Sequence, residues 1–200
     1  MVRVTRRRRW WTVASAALVG VLGVVLAIVL LRPEPVLLDP DDFPGVARTH
    51  QNGHNAPPGW TYCDLSVGGW VREGSPDTAL VFGPDQWAGA AIAVQPGGRS
   101  ESAAELLDRL QERAASCATS ELTQSGRFSI EPLSGLGPGE VGWRTRYEDP
   151  LQWGEYVVIP LDEGRLLAVG FQTTEETAPV DMDRLVELAK QGAEQFPATE

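Results

Sequence analysis

The sequence predicts an α+β domain: an antiparallel sheet with helices packed on one of its faces, in the order β-β-β-α-β-β-β-β-α, preceded by one transmembrane helix. Three observations carry this. Residues 10–31 contain no charged side chain. Two later stretches, over 102–118 and up to Phe196, repeat apolar side chains at helical spacing. Between them, residues 127–173 read as strands joined by tight Gly-containing turns, which implies antiparallel neighbours.

Residues 10–31 are mostly Val, Leu, Ala, Ile and Gly. A helix of that length spans roughly 33 Å, about the hydrocarbon thickness of a bilayer. Arg3 and Arg6 to Arg9 precede it, and Trp10 and Trp11 stand where interfacial aromatics anchor a span. The expected organisation is a basic cytoplasmic tail over 1–9, a membrane helix over 10–31, a Pro-rich acidic tether over 32–59 and an extracytoplasmic domain over 60–197. The expected place is the cell membrane, single-pass, N-terminus inside, with the lipid bilayer as a partner through residues 10–31. The alternative is a cleaved signal peptide. Against it, the apolar run exceeds the usual h-region of about 7–15 residues, and no small-x-small site follows Leu31-Arg32-Pro33.

The tether expectation rests on Pro33, Pro35, Pro40, Pro44, Pro57 and Pro58, which interrupt regular elements, and on the polar stretch Thr49 to Asn55. Asp39, Asp41 and Asp42 lack the Gly and closing Glu of a calcium loop. His50 and His54 have metal-ligand spacing only on a helix, which Asn52 and Gly53 disfavour, so no metal is expected.

Strands are expected at 61–66, 78–82 and 88–94, the last ended by Pro96-Gly97-Gly98. Ser102 and Glu105 then form a capping box. Ala103, Leu106, Leu107, Leu110, Ala114 and Cys117 follow on one helical face. A strand over 127–133 leads to the turn Ser134-Gly135-Leu136-Gly137-Pro138-Gly139. Over 140–148, Val141, Trp143, Thr145 and Tyr147 alternate with Arg144, Arg146 and Glu148. Residues 155–161 are apolar on both faces and read as a central strand. Asp162-Glu163-Gly164 turns the chain back into a strand over 165–173. A last helix carries Leu185, Leu188, Ala189 and Gly192 on one face.

The formal net charge of −10 hides an asymmetry. Six of the 17 basic residues and none of the 27 acidic ones lie in residues 1–32, so the rest of the chain carries a formal charge of −16. A domain this acidic is not expected to bind nucleic acid. Cys63 and Cys117 are both in the exported part. Their pairing would close a loop of about 53 residues, worth on the order of 4 kcal/mol. The expectation is a buried structural disulfide, with two separate buried thiols as the alternative.

No Gly-x-Ser-x-Gly or His-Glu-x-x-His is present, and both histidines fall in the expected tether. A Ser-His or Cys-His pair is therefore not expected in the domain, and neither catalytic residues nor a cofactor are. Gly135-x-Gly137-x-Gly139 precedes a strand rather than a helix, so it reads as a connection and not a phosphate cradle. Trp143 and Tyr147 are read as core, with a ligand platform as the alternative. Arg144 and Arg146 share the other face. They are candidates to hold an anionic ligand group, or else to pair with neighbouring carboxylates. Trp153, placed in a loop after Asp149-Pro150, is the aromatic expected to be exposed beside them.

Three features together resemble a group of exported actinobacterial domains: the cysteine ending the first helix, the Gly-rich turn before Val141-Gly142-Trp143-Arg144, and the paired strands Tyr156 to Leu161 and Arg165 to Phe171. The likeness, over about 60–197, is to the extracytoplasmic sensor domain of mycobacterial receptor-type serine/threonine kinases and its free-standing membrane-anchored relatives. The resemblance implies an antiparallel α+β fold with a ligand-binding cleft and supplies no catalytic residues. The chain departs from those receptors in lacking a kinase domain and in having one candidate disulfide where they have more. The element order is also similar to small antiparallel αβα sandwiches of the photosystem-subunit/Mog1 type. The expected function is a membrane-anchored sensor-like or ligand-binding domain without catalytic activity, for a small ligand or envelope protein. The alternative is a protein-interaction subunit of an envelope membrane complex.

Overall fold

The computed structural model describes residues 35–51, 75–95, 101–116, 121–123 and 126–198. They belong to one unit, Pro35–Glu200. Their strands are β1 (Arg48–Gln51), β2 (Asp77–Gly83), β3 (Gln86–Val94), β4 (Glu121–Thr123), β5 (Gly126–Pro132), β6 (Val141–Glu148), β7 (Leu151–Asp162) and β8 (Arg165–Thr173). Helix α1 (Ala103–Ser116) lies between β3 and β4, and α2 (Met182–Ala193) follows β8. The strands form one antiparallel sheet in the order β1-β2-β3-β8-β7-β6-β5-β4. The α+β class with an antiparallel sheet is as the sequence predicts. Strand 61–66 and both cysteines lie outside the described residues, as does the apolar segment 10–31. No helix among the described residues is long and apolar enough to cross a membrane.

Side-chain alternation on the central strands builds two cores. Tyr156 and Val158 of β7 join Trp143, Ile130, Leu166 and Ala168 under Leu106, Leu107 and Leu110 of α1. Val157 and Ile159 point the other way. They join Leu167, Val169, Phe171 and Ile92 under Leu185 and Ala189 of α2. The two helices therefore cover opposite faces of the sheet, which corrects the expectation of one face. The physical reason is β7 itself. A strand apolar on both sides needs cover on both sides.

Local chemistry sets the helix starts. Ser102 Oγ accepts from Glu105 N at 3.3 Å, and Glu105 Oε2 accepts from Ser102 N at 2.7 Å. The bond from Ser102 N, with a second from the Ser102 hydroxyl to the same Oε2 at 3.0 Å, holds the Glu105 carboxyl below its ordinary range. Asp181 caps α2 by accepting from Arg184 N at 2.9 Å.

The expected tether over 32–59 is corrected over Pro35–Gln51. Leu37, Leu38 and Phe43 are buried in the α2-side core. Gly192 makes room for them: a Cβ there would lie 2.1 Å from the Leu37 carbonyl oxygen. Pro40 opens a short 3-10 turn, Pro40–Asp42, with Asp39 as its cap. Pro at the start of a turn lacks only an N–H that would be unpaired anyway, so proline there does not signal disorder. Residues Arg48–Gln51 then add an edge strand to β2, in the register Thr49 with Leu80. The described sheet thus begins with a strand the sequence reading missed.

Candidate functional site

On β6, Arg144 and Arg146 point away from buried Trp143, toward the α2 side. Register sets Arg144 opposite Glu155 and Arg146 opposite Trp153 on β7. Arg144 Nε donates to Glu155 Oε1 at 2.8 Å, and Nη2 donates to the same oxygen. Of the two roles open to Arg144, the geometry realises the carboxylate pair.

Beside this pair a groove of about 570 Å³ runs between the sheet and α2. A strap, residues Leu133–Glu140, forms its third side. Val157, Leu133, Leu136, Met182 and Val186 supply apolar wall, and Arg144, Glu155 and Glu131 line the sheet side. From α2 come Asp183, Glu187 and Lys190. The volume falls in the range of ligand pockets, roughly 300–1,000 Å³.

The charges are arranged unequally. Lys190 Nζ donates to Glu140 Oε1, and Gly137 N–H donates to Glu140 Oε2 at 2.9 Å. Burial by itself pushes the Glu140 carboxyl up. The bonds from Lys190 and Gly137, with the Lys190 charge, outweigh it and hold the group below its ordinary range. Both cations lining the groove, Arg144 and Lys190, are thus neutralised by carboxylates. Glu131, Asp183 and Glu187 make no ion pair among the described residues, although the β5–β6 register sets Glu131 across from Arg144. Glu187 accepts only from Gln191 Nε2, at 3.3 Å. The groove carries uncompensated negative charge.

The sequence-predicted residues are only partly brought together. Arg144 lines the groove. Arg146 shares its sheet face but does not line it, and is exposed. Trp153 is corrected. It belongs to strand β7, not to a loop, and is half-buried. Its Nε1 donates to the Glu175 carbonyl at 2.6 Å, and its ring stands edge-on to Phe171 at 5.2 Å. Trp143 is core, 2% exposed and stacked near Tyr156. Cys63 and Cys117 lie outside the described residues. Among the described residues, no three of His, Cys, Asp and Glu converge to hold a metal.

Sequence reasoning missed Glu131, Glu140, Asp183, Glu187 and Lys190. Three of them were within reach: Asp183, Glu187 and Lys190 repeat at helical spacing and so share one face of α2.

A second cleft, of about 440 Å³, is mainly apolar. Phe43, Pro44, Phe82, Pro179 and Val180 line it, with Arg184 at its side donating to the Asp42 carbonyl at 3.3 Å. No family model matches the chain, and no curated protein matches it significantly.

Proposed function

We propose that this chain is a membrane-anchored extracytoplasmic ligand-binding domain without catalytic activity. Its groove between strap and α2 takes a ligand bearing a cationic group, an amine or a guanidinium. The observation that carries this reading is the groove's charge arrangement: both cations paired, three carboxylates left uncompensated beside an apolar wall. The apolar span 10–31 behind Arg3 and Arg6 to Arg9 supports the anchor and its orientation. Helices on opposite faces favour the likeness to small antiparallel αβα sandwiches.

Isothermal titration of the full-length chain in detergent micelles with spermidine, arginine amide and acetate tests the reading. Saturable binding of an amine, lost on joint Asp183→Asn and Glu187→Gln substitution, is expected. Acetate binding as strong as the amines', amine binding indifferent to the double substitution, or no amine binding at all overturns it.

The apolar cleft around Phe43 and Phe82 favours a second reading, an interaction subunit of an envelope membrane complex. A photo-crosslinker at position 82 in intact cells distinguishes the two. One stoichiometric adduct supports the subunit reading, and none removes it.

A further inference from the structure

The last turn of α2 serves two structures at once. Lys190 lines the groove and holds Glu140. Two residues on, Gly192 seats the backbone of Leu37, and the flanking Ala189 and Ala193 are buried in the same core as Leu37 and Leu38. Glu140 in turn holds the strap, because its second oxygen accepts from Gly137 N–H. The strap's other ties are the packing of Leu133 and Leu136 on the α2-side core and a bond from Glu140 N to the Gly137 carbonyl at 3.1 Å, with two contacts to β6. Leu133 N donates to the Gly142 carbonyl at 2.9 Å. Leu136 lies over Gly142, where an added Cβ would come 3.0 Å from Leu136 Cδ1. Gly135 and Gly139 hold φ of 81° and 76°, the region that favours glycine, so the strap's shape depends on both. One carboxylate, that of Glu140, therefore connects the middle of the strap to the helix turn that seats the start of the domain.

We propose that this turn of α2 couples the groove to the N-terminal segment Pro35–Phe43. Strap closure and seating of Leu37 and Leu38 rise and fall together, so occupancy of the groove is transmitted to the segment by which the chain enters the domain. The proposal rests on the groove being the ligand site, as read above. Its physical content is a shared two-state element, and linkage then makes the effect reciprocal.

Hydrogen exchange by mass spectrometry on the full-length chain tests it without added ligand. Lys190→Gln and Glu140→Gln are each expected to speed exchange about fivefold, the low end for coupled sites, in peptides covering 133–140 and 35–43. Peptides from α1 should be unchanged. Reciprocally, Leu37→Ala should speed exchange in 133–140, with Leu37→Val in its place if the alanine variant does not fold. Faster exchange in the strap with an unchanged 35–43, no change in either, or faster exchange everywhere overturns the coupling. Because no ligand is present, such a failure leaves the groove's amine binding standing. Coupled exchange together with absent amine binding overturns only the functional reading.

Discussion

Lys190 Nζ donates to Glu140 Oε1 across 50 residues of chain, and so ties the C-terminal helix to the strap that precedes β6. The Glu140 side chain is 10% exposed and the Lys190 side chain 44%. A carboxylate that enclosed depends on its exposed cation more than the cation depends on it.

Stability should therefore fall with acid in a way that Glu140 reports. Its pKa is lowered in the folded protein, from an ordinary value of 4.5. The folded state then binds fewer protons than the unfolded state, so its contribution is present above pH 4.5 and is lost as pH falls through the lower folded value. Urea midpoints measured from pH 7 to pH 3 should show wild type and Glu140→Gln furthest apart near neutrality and converging below 4.5. A constant gap across that range contradicts the assignment. Replacing Lys190 by Ala should cost about 1–2 kcal/mol at pH 7, at or below the lower end for a hydrogen bond to a charged partner because the lysine is 44% exposed.

Leu37→Ala gives a direct reading of whether the start of the domain is folded. Leu37 is 1% exposed, against α2. Loss of its side chain should cost about 2–4 kcal/mol in urea denaturation, as for other buried leucines. A free tether would make the same substitution neutral.

The elements legible in the sequence were those whose signal is local. Ser102 and Glu105 lie three residues apart, and both halves of their capping box form. Val141, Trp143, Thr145 and Tyr147 alternate with Arg144 and Arg146, and β6 divides its faces accordingly. What failed was local grammar applied too broadly. Prolines between 35 and 44 suggest a tether, but Leu37, Leu38 and Phe43 among them pack against α2. The two-sided apolar run Tyr156 to Ile159 demands cover on both faces, which outweighs the single-face arrangement that the strand order alone suggests. Glu140 with Lys190 was not legible, because their meeting depends on how the strap and α2 are placed, not on spacing. Arg144 was found because strand periodicity reports facing. Its Glu155 partner needed the β6–β7 register, which follows once the tight turn at Asp149-Pro150 is placed between them.

Trp153 should prove structural. Trp153→Phe keeps an aromatic ring near Phe171 and loses the bond from Nε1 to the Glu175 carbonyl. That change should cost about 1 kcal/mol, the net worth of an ordinary hydrogen bond. Trp153→Ala loses the ring as well and should cost about 3 kcal/mol. Amine binding in the groove should be unchanged in the Phe variant. A Phe variant as stable as wild type but unable to bind the amine would make Trp153 a ligand contact instead.

Arg144→Gln separates the two ligand chemistries that the groove invites. If Arg144 were an anion receptor, removing its charge would weaken anion binding and leave amines unaffected. In the geometry found, Arg144 is spent on Glu155, whose side chain is 13% exposed. Replacing it with Gln removes the positive charge between Glu155 and its other cross-strand neighbour Glu131, and frees a fourth carboxylate in a groove where Glu131, Asp183 and Glu187 make no ion pair. The added negative charge should tighten spermidine binding by about three- to tenfold at low salt, and the gain should shrink at 0.5 M salt, where screening shortens to a few ångströms. Stability should fall by about 1–3 kcal/mol, because the arginine is half-exposed but the carboxylate it leaves is largely enclosed. Titration of the variant at two salt concentrations reads all of this. Weaker spermidine binding, or a gain indifferent to salt, would show that Arg144 serves the ligand directly and not through Glu155.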